Sequence, residues 1–494
     1  MSSIFRIHSA LLVMVFCIGG SALAADRPNV LFISIDDMRT ELGCYGVRSI
    51  QTPNIDRLAG QGVQFNHAHV QQSICMASRA SIMSGFRPEN HRIYTTEPLH
   101  QLLPDALTMN KHFANNGYQI AAYGKIYHYG SDHVAQFGDN WFDDTDKWAG
   151  RGYATQAGIE IMKLNQKVAS RKGKRKNRGA AWEAADVDDN GYIDGYNTEL
   201  AVEKLKELSA KDAPFFLAIG LHKPHLPFCA PKKYWDRYPE DQIAPAPVTE
   251  PPLNSSRYTL RDPGELRNYF GMPAEKGSRC DEVTTRNLRR GYFACVSYVD
   301  ALVGQLMSAL DAEGLAENTV VILWGDHGYK LGDYGTWNKW SNMTLDTRVP
   351  LIVRGPGVSV GHKSEALVEL IDMYPTLAQL CGLPLPKHLE GTSFVPVLKQ
   401  PGRPWKKAVF TMWPHDRTDD EKNITGYSVK TRDFNYVEWT RLKTGEVLER
   451  ELYDQNKDPL ETVNCIDDKA YEGVVTEMQS MLRSGWKGAL PLGI

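Results

Sequence analysis

Neither sign of charge dominates this chain: 56 Lys and Arg face 59 Asp and Glu, a formal net charge of −3. That balance excludes a whole-molecule basic field of the kind that gathers nucleic acids, and no nucleic-acid partner is expected. Beyond the first residues no apolar run approaches the ~20 residues of a membrane span, so no spanning segment is expected. Internal repeats and long disordered linkers are absent, which excludes a solenoid. Cysteine is sparse, with 8 in 494 residues. Beyond Cys17 stand Cys44, Cys75, Cys229, Cys280, Cys295, Cys381 and Cys465. That odd count excludes a fully paired disulfide framework; setting Cys75 aside leaves an even set whose pairing the sequence does not define.

Residues 1–24 read as a signal peptide: Arg6 and His8, an apolar stretch over 11–20, then Ala22-Leu23-Ala24 as a cleavage site. Phe16 is too large to precede a lipidated cysteine at Cys17. A periplasmic or secreted protein is expected. Residues 25–400 alternate strand-like and helix-like segments, as a doubly wound α/β unit requires. From 401 to 494 the texture changes to short strand-like pieces at 408–413, 427–430 and 435–440. Helices are expected over 54–62, 197–210, 286–313 and 372–380, the last capped by Asp372.

Chemistry recurs where strand-like runs end. Residues 27–37 form an apolar, β-branched run closing on Asp36 and Asp37. Such a run reads as a buried parallel strand whose C-terminal end meets a site. Two adjacent carboxylates need a neutralising cation, and a hard divalent metal suits them. Residues 319–328 repeat the pattern and close on Asp326 and His327, so Asp36, Asp37, Asp326 and His327 form a candidate metal cage. Oxygen-rich ligands suit calcium or magnesium and do not choose between them. Lys125 and His128 follow a third strand-like run, His222-Lys223-Pro224-His225 a fourth, and Lys339 lies just past the second acid cluster. Singly, each of these residues reads as a surface or satisfied side chain; together at strand ends they read as a site. Cys75 alone would be a small buried core residue.

The stretch Cys75-Met76-Ala77-Ser78-Arg79 with Gly85 beyond it resembles the nucleophile motif of type I sulfatases. Supporting matches are Asp36-Asp37-Met38-Arg39, residues 42–46, 52–59, Gly124-Lys125 with His128, residues 222–227, and Asp326-His327-Gly328 with Leu331-Gly332. The chain is identified as a member of that family, and the Asp326-His327 pair points to its iduronate-2-sulfatase branch. The resemblance implies an alkaline-phosphatase-like α/β fold: a large, mixed, mostly parallel sheet flanked by helices, with a smaller C-terminal antiparallel-sheet subdomain. It implies one calcium ion on Asp36, Asp37, Cys75, Asp326 and His327. Cys75 would be converted to formylglycine by a formylglycine-generating or anaerobic maturing enzyme. In that scheme Arg79, Lys125 and Lys339 withdraw charge from sulfate, and a hydroxyl of the formylglycine hydrate attacks sulfur with help from Asp326. His225 then protonates the leaving sugar oxygen and His128 takes the proton that lets sulfate depart.

The implied substrate is a sulfated carbohydrate, with exo-action on 2-O-sulfated uronate or related fragments. The alternatives are a phosphate or phosphonate monoester hydrolase of the same superfamily, and an unconverted sulfoglycan-binding protein. Ala77 replaces the usual proline of the maturation motif, and Tyr329 stands where tryptophan is expected, a change placed to alter the substrate pocket. Specificity is assigned to the loops at 130–150 and 251–279. Two further segments carry open readings. The basic run 167–178 is either a steering patch for polyanions or a solvated loop. Residues 186–194 mimic the start of an EF-hand, with Asn197 where the closing Glu belongs, and are either a second calcium site or an accidental match.

Overall fold

The structure is a computed structural model describing residues 27–94, 97–128, 137, 141–142, 152–171, 178–262, 264–415 and 423–491. The signal-peptide segment, most of 130–150 and residues 172–177 of the basic run lie outside these. Strand β1 (Asn29–Ile35) is buried at every residue. Leu31, Ile33 and Ile35 enter one core cluster, while Val30 and Phe32 enter another. A strand apolar on both faces belongs in the middle of a sheet covered on both sides.

That sheet has nine strands, added here to β1 in chain order. They are β2 (Val63–His69), β3 (Gln119–Gly124), β4 (Trp141–Phe142), β6 (Phe215–Leu221), β8 (Thr319–Gly325), β9 (Arg348–Val349), β10 (Leu351–Arg354) and β11 (His362–Glu369). Across the sheet the order is β11-β2-β10-β8-β1-β6-β3-β4, with β9 on the end of β2. β8, β1, β6 and β3 are mutually parallel, and β10 runs antiparallel to both β8 and β2. The mixed, mostly parallel sheet is the one expected. β5 (Trp182–Ala185) and β7 (Phe228–Pro231) pair separately.

Helices cover both faces. Pro53–Gly60, Ile193–Ser209 and Glu282–Ala312 supply Leu58, Leu205 and Leu302 to one cluster; Cys75–Ser84 and Met373–Leu380 supply Met83 and Leu377 to the other. Three helix starts differ from expectation. Ile193–Ser209 begins before 197 because its polar first turn, Asp194 and Asn197 included, is buried and hides the amphipathic pattern. Glu282–Ala312 begins before 286 because the Asp281 side chain caps it, accepting from the Thr284 amide. Asp372 does not cap Met373–Leu380; its carboxylate accepts from the Glu369 amide at 2.9 Å in a capping box one turn earlier. Glu282–Ala312 is long and apolar enough to cross a membrane, yet 83% of its most apolar window is buried inside the fold. It is a core helix.

The C-terminal meander β12 (Val409–Pro414), β13 (Ile424–Lys430), β14 (Phe434–Arg441) and β15 (Val447–Asp454) is antiparallel throughout. Met478 of the helix Glu472–Gly488 packs on Val429, Tyr436 and Leu452. The seven cysteines from Cys44 onward are all unpaired.

Candidate active site

Four parallel strands end in register. Ile35 of β1 lies opposite Leu221 of β6 and Gly325 of β8, and Gly220 lies opposite Gly124 of β3. The next residues along each strand therefore share one sheet edge, where open α/β sheets hold their ligands. Close approach there needs glycine: a Cβ on Gly220 would stand 2.0 Å from the Lys125 carbonyl oxygen. Asp37 takes a left-handed φ of 61°, a conformation aspartate tolerates better than most residues. This turn aims its amide at Asp326 Oδ1, 3.1 Å away.

Cys75 is the first residue of the helix Cys75–Ser84, so its side chain sits at the positive end of ten aligned peptide units. Its Sγ lies 3.1 Å from His327 Nε2. One ligand atom each from Asp36, Asp37, Cys75 and His327 falls within 4.8 Å of the others, all four residues buried. Asp36 Oδ1 is buried without a hydrogen-bond partner. An orphaned carboxylate oxygen beside a second carboxylate and an imidazole is a donor set that fits a divalent cation. Asp326 stands beside this set: Oδ1 accepts from the Asp37 amide and lies 3.7 Å from His327 Nε2, and Oδ2 accepts from Arg79 Nε at 2.9 Å, each oxygen keeping a lone pair as those of Asp37 do.

Lysines take the remaining oxygens. Lys125 Nζ donates to Asp36 Oδ2, and Lys339 Nζ donates to both oxygens of Asp37 at 2.8 and 3.0 Å. Burial opposes ionisation of Asp36, but Lys125 and its neighbours outweigh it and hold the carboxyl well below the usual range. Burial wins at Asp37, lifting it to about 7 despite Lys339. Lys339, desolvated yet facing Asp37, is raised well above its ordinary value. Arg79 spends most of its donors on the cage, bonding Asp326, Ser34 and the Lys125 and Ile126 carbonyls. Its Nη2 lies 3.9 Å from Asp36 Oδ1.

The two candidate proton carriers differ. His225 donates from Nδ1 to the Leu226 carbonyl at 2.6 Å, which leaves Nε2 facing Asp37 Oδ2 at 3.9 Å and Glu265 Oε1 at 3.7 Å. Burial, then Lys339, lowers its pKa well below normal. His128 is pushed down to about 3, by burial first and the Lys125 charge second. Every candidate residue thus gathers at one sheet edge.

Two further residues belong there. Glu265, from the 251–279 segment, also lies 3.6 Å from Lys339 Nζ and 3.1 Å from Arg178. Asp194, fully buried, accepts from the His222 and Lys223 amides at 2.8 and 2.7 Å and so braces the loop that carries His225. No strand end marks Glu265, and the resemblance of Asp194 to an EF-hand ligand concealed its role. The EF-hand reading gains no support: Asp194 turns both oxygens to the 222–223 amides, and among the described residues the acids of 186–194 form no metal-ligand cluster. Residues 42–46 and 52–59 build the frame, with Thr52 and Asp56 accepting from the Gly43 and Cys44 amides. Tyr329 is buried, not lining an open pocket; its ring lies 5.6 Å from Lys339 Nζ and its hydroxyl donates to the Trp337 carbonyl.

The sulfatase family profile matches residues 28–383, and the C-terminal profile of N-sulphoglucosamine sulphohydrolase matches residues 332–487. The chain is 30% identical to mouse iduronate 2-sulfatase (Mus musculus), over 96% of this chain and 98% of that protein. Among solved structures it is similar to one in complex with its substrate D-glucosamine-2-N,6-O-disulfate, at a TM-score of 0.71 and 22% identity, covering 93% of this chain and 98% of that one. It is equally similar to the phosphonate monoester hydrolase of Agrobacterium radiobacter, at a TM-score of 0.71 and 22% identity over 94% and 96% of the two chains. The fold alone therefore does not separate sulfate from phosphonate chemistry. By the family match and the iduronate 2-sulfatase relative, this chain belongs to the sulfatases, hydrolases of sulfuric esters.

Proposed function

We propose that this protein removes sulfate from 2-O-sulfated uronate ends or related sulfated glycan fragments after export to the periplasm or medium. The observation that carries the reading is the convergence of Cys75, Asp36, Asp37 and His327, with a lysine closing over the second oxygen of each aspartate. The set suits one metal ion and the single negative charge of a sulfate ester better than the double charge of a phosphate monoester. When bound, one calcium ion on Asp36, Asp37, Asp326, His327 and residue 75 would polarise the sulfate, and formylglycine at 75 would supply the attacking oxygen.

The chain's own residues do the rest. Lys125 and Lys339 bind sulfate oxygens and hold the ester for in-line displacement. Arg79 and Asp326 fix the cage. His225, once Nε2 has taken up a second proton while Nδ1 stays bonded to the Leu226 carbonyl, delivers that proton to the leaving sugar oxygen, and His128 takes one when sulfate departs. The iduronate branch is favoured by His327 and by the mouse relative named above.

Peptide mass spectrometry around Cys75, paired with sulfate release from a panel of defined sulfated sugars, tests both levels. Thiol at position 75 in active protein, or wild-type turnover by Cys75→Ala, would end the formylglycine reading. Release from other sulfated sugars but none from 2-O-sulfated uronates would remove only the assigned substrate. A measured two metals per chain would favour phosphoryl chemistry.

A further inference from the structure

Away from the catalytic edge, a cleft of about 220 Å³ opens between β2, β9 and the turn joining β13 to β14. β10 lies between β2 and β8, so the cleft is at least two strand spacings, roughly 10 Å, from the acid cluster on β8. Basic side chains line it, His69 on β2, Arg348 opposite it on β9, Lys430 at the end of β13 and Arg432 in the turn, with Asp433 as an acid among them.

The inner cations lack the partners that burial demands. Lys430 is 2% exposed and donates to the Asn342 carbonyl at 2.5 Å; among the described residues no carboxylate lies within ion-pair distance. Arg348 Nε is buried without a partner, and its Nη2 reaches only Thr40 Oγ1 at 3.4 Å. His69 is 4% exposed and its Nδ1 has no partner. The nearby acids are committed: Glu461 to Thr344, Asn435 and Gln455, Glu365 to His67 and Asn66, and Asp433 to Asn456. Burial pushes Lys430 down to about 8 and lowers His69 and Arg348 as well, in each case the direction a bound anion would reverse. A buried ammonium beside a half-buried guanidinium, neither within ion-pair distance of a described carboxylate, is costly, and a compact oxyanion is what satisfies both.

We propose that this cleft is a second anion site, separate from the catalytic centre. It binds a tetrahedral oxyanion between Lys430, Arg348 and His69, either free sulfate or the sulfate group of a sugar. Lys430 and Asn435 both hold the Asn342 carbonyl, so the site abuts the loop that carries Lys339.

Equilibrium dialysis of the full-length protein with radiolabelled inorganic sulfate, at fixed ionic strength in chloride, counts bound ions per chain. The double variant Lys430→Met, Arg348→Met should bind one sulfate fewer than wild type, whatever the catalytic centre contributes. Lys430→Met alone should melt no lower than wild type in sulfate-free buffer, because it removes a buried charge that has no carboxylate partner. Lys430→Arg should keep the site and controls for a double variant that fails to fold. Equal sulfate counts in wild type and a folded double variant would overturn the proposal. Displacement of the labelled ion from this site by methyl glucoside 6-sulfate identifies a sugar sulfate as an accepted ligand; failure to displace identifies the free ion.

Discussion

Replacing Asp194 by asparagine tests how the acid is delivered to the leaving group. Asp194 is fully buried in the first turn of the helix Ile193–Ser209, with Oδ1 and Oδ2 each accepting from one of two successive amides, His222 and Lys223. Lys223 Nζ in turn donates to the carbonyls of His225 and Pro227 at 3.0 and 2.7 Å, so the carboxylate anchors the whole His225 turn. Asparagine keeps the shape but offers one acceptor to two amides and presents an NH2 group to the other. The lost charge-assisted bond is worth about 1.5–3 kcal/mol. A displacement of His225 by about 1 Å is worth roughly 10²-fold in rate. Chemical denaturation should show the first loss, and kcat on an unactivated sugar sulfate the second. On nitrophenyl sulfate, whose leaving group hardly needs a proton, the rate should fall far less. An unchanged ratio between the two substrates would refute the argument, since a general loosening of the site would slow both alike.

His225→Ala should show the same substrate-dependent pattern in stronger form, whereas His128→Ala should slow both substrates equally and let a covalent sulfate adduct accumulate, each by ~10²–10⁴-fold; rapid-quench mass spectrometry separates them. A chelator should abolish turnover while leaving circular dichroism unchanged, because Lys125 and Lys339 already neutralise Asp36 and Asp37, and calcium should restore activity. Unfolding on metal removal would contradict this. Glu369 is buried, but Arg87 and Lys406 outweigh burial and hold its carboxyl well below the usual range. A depressed carboxyl stabilises the fold above its unfolded pKa and loses that contribution as pH falls toward its folded value. Glu369→Gln should therefore melt below wild type at neutral pH, and the gap should narrow below about pH 4. A gap that widens on acidification would reverse the sign of the argument.

The local order of residues was enough to mark where chemistry lies. Two-sided apolar runs ending in Asp36-Asp37 and Asp326-His327 declare buried parallel strands with charge at their ends, since such charge is costly unless it serves a ligand. Cys75 and Arg79 were legible through a short motif whose spacing survives because helix geometry places them on adjacent turns. What the chain's order left open was decided by closure of the sheet. Only strand pairing puts Ile35 beside Gly325 and Leu221, and so brings positions 36, 125, 225 and 326 to one edge. Glu265 and Asp194 could not be read because neither sits in a periodic pattern: each acts through contacts distant in sequence, Glu265 on Lys339 and Asp194 on the 222–223 amides. The EF-hand resemblance gains no support for the same reason. Ligand spacing along a loop does not make the ligands converge, and here the 222–223 amides take both oxygens of Asp194. Composition and spacing act between near neighbours; convergence of charge across hundreds of residues is a property of the packed sheet.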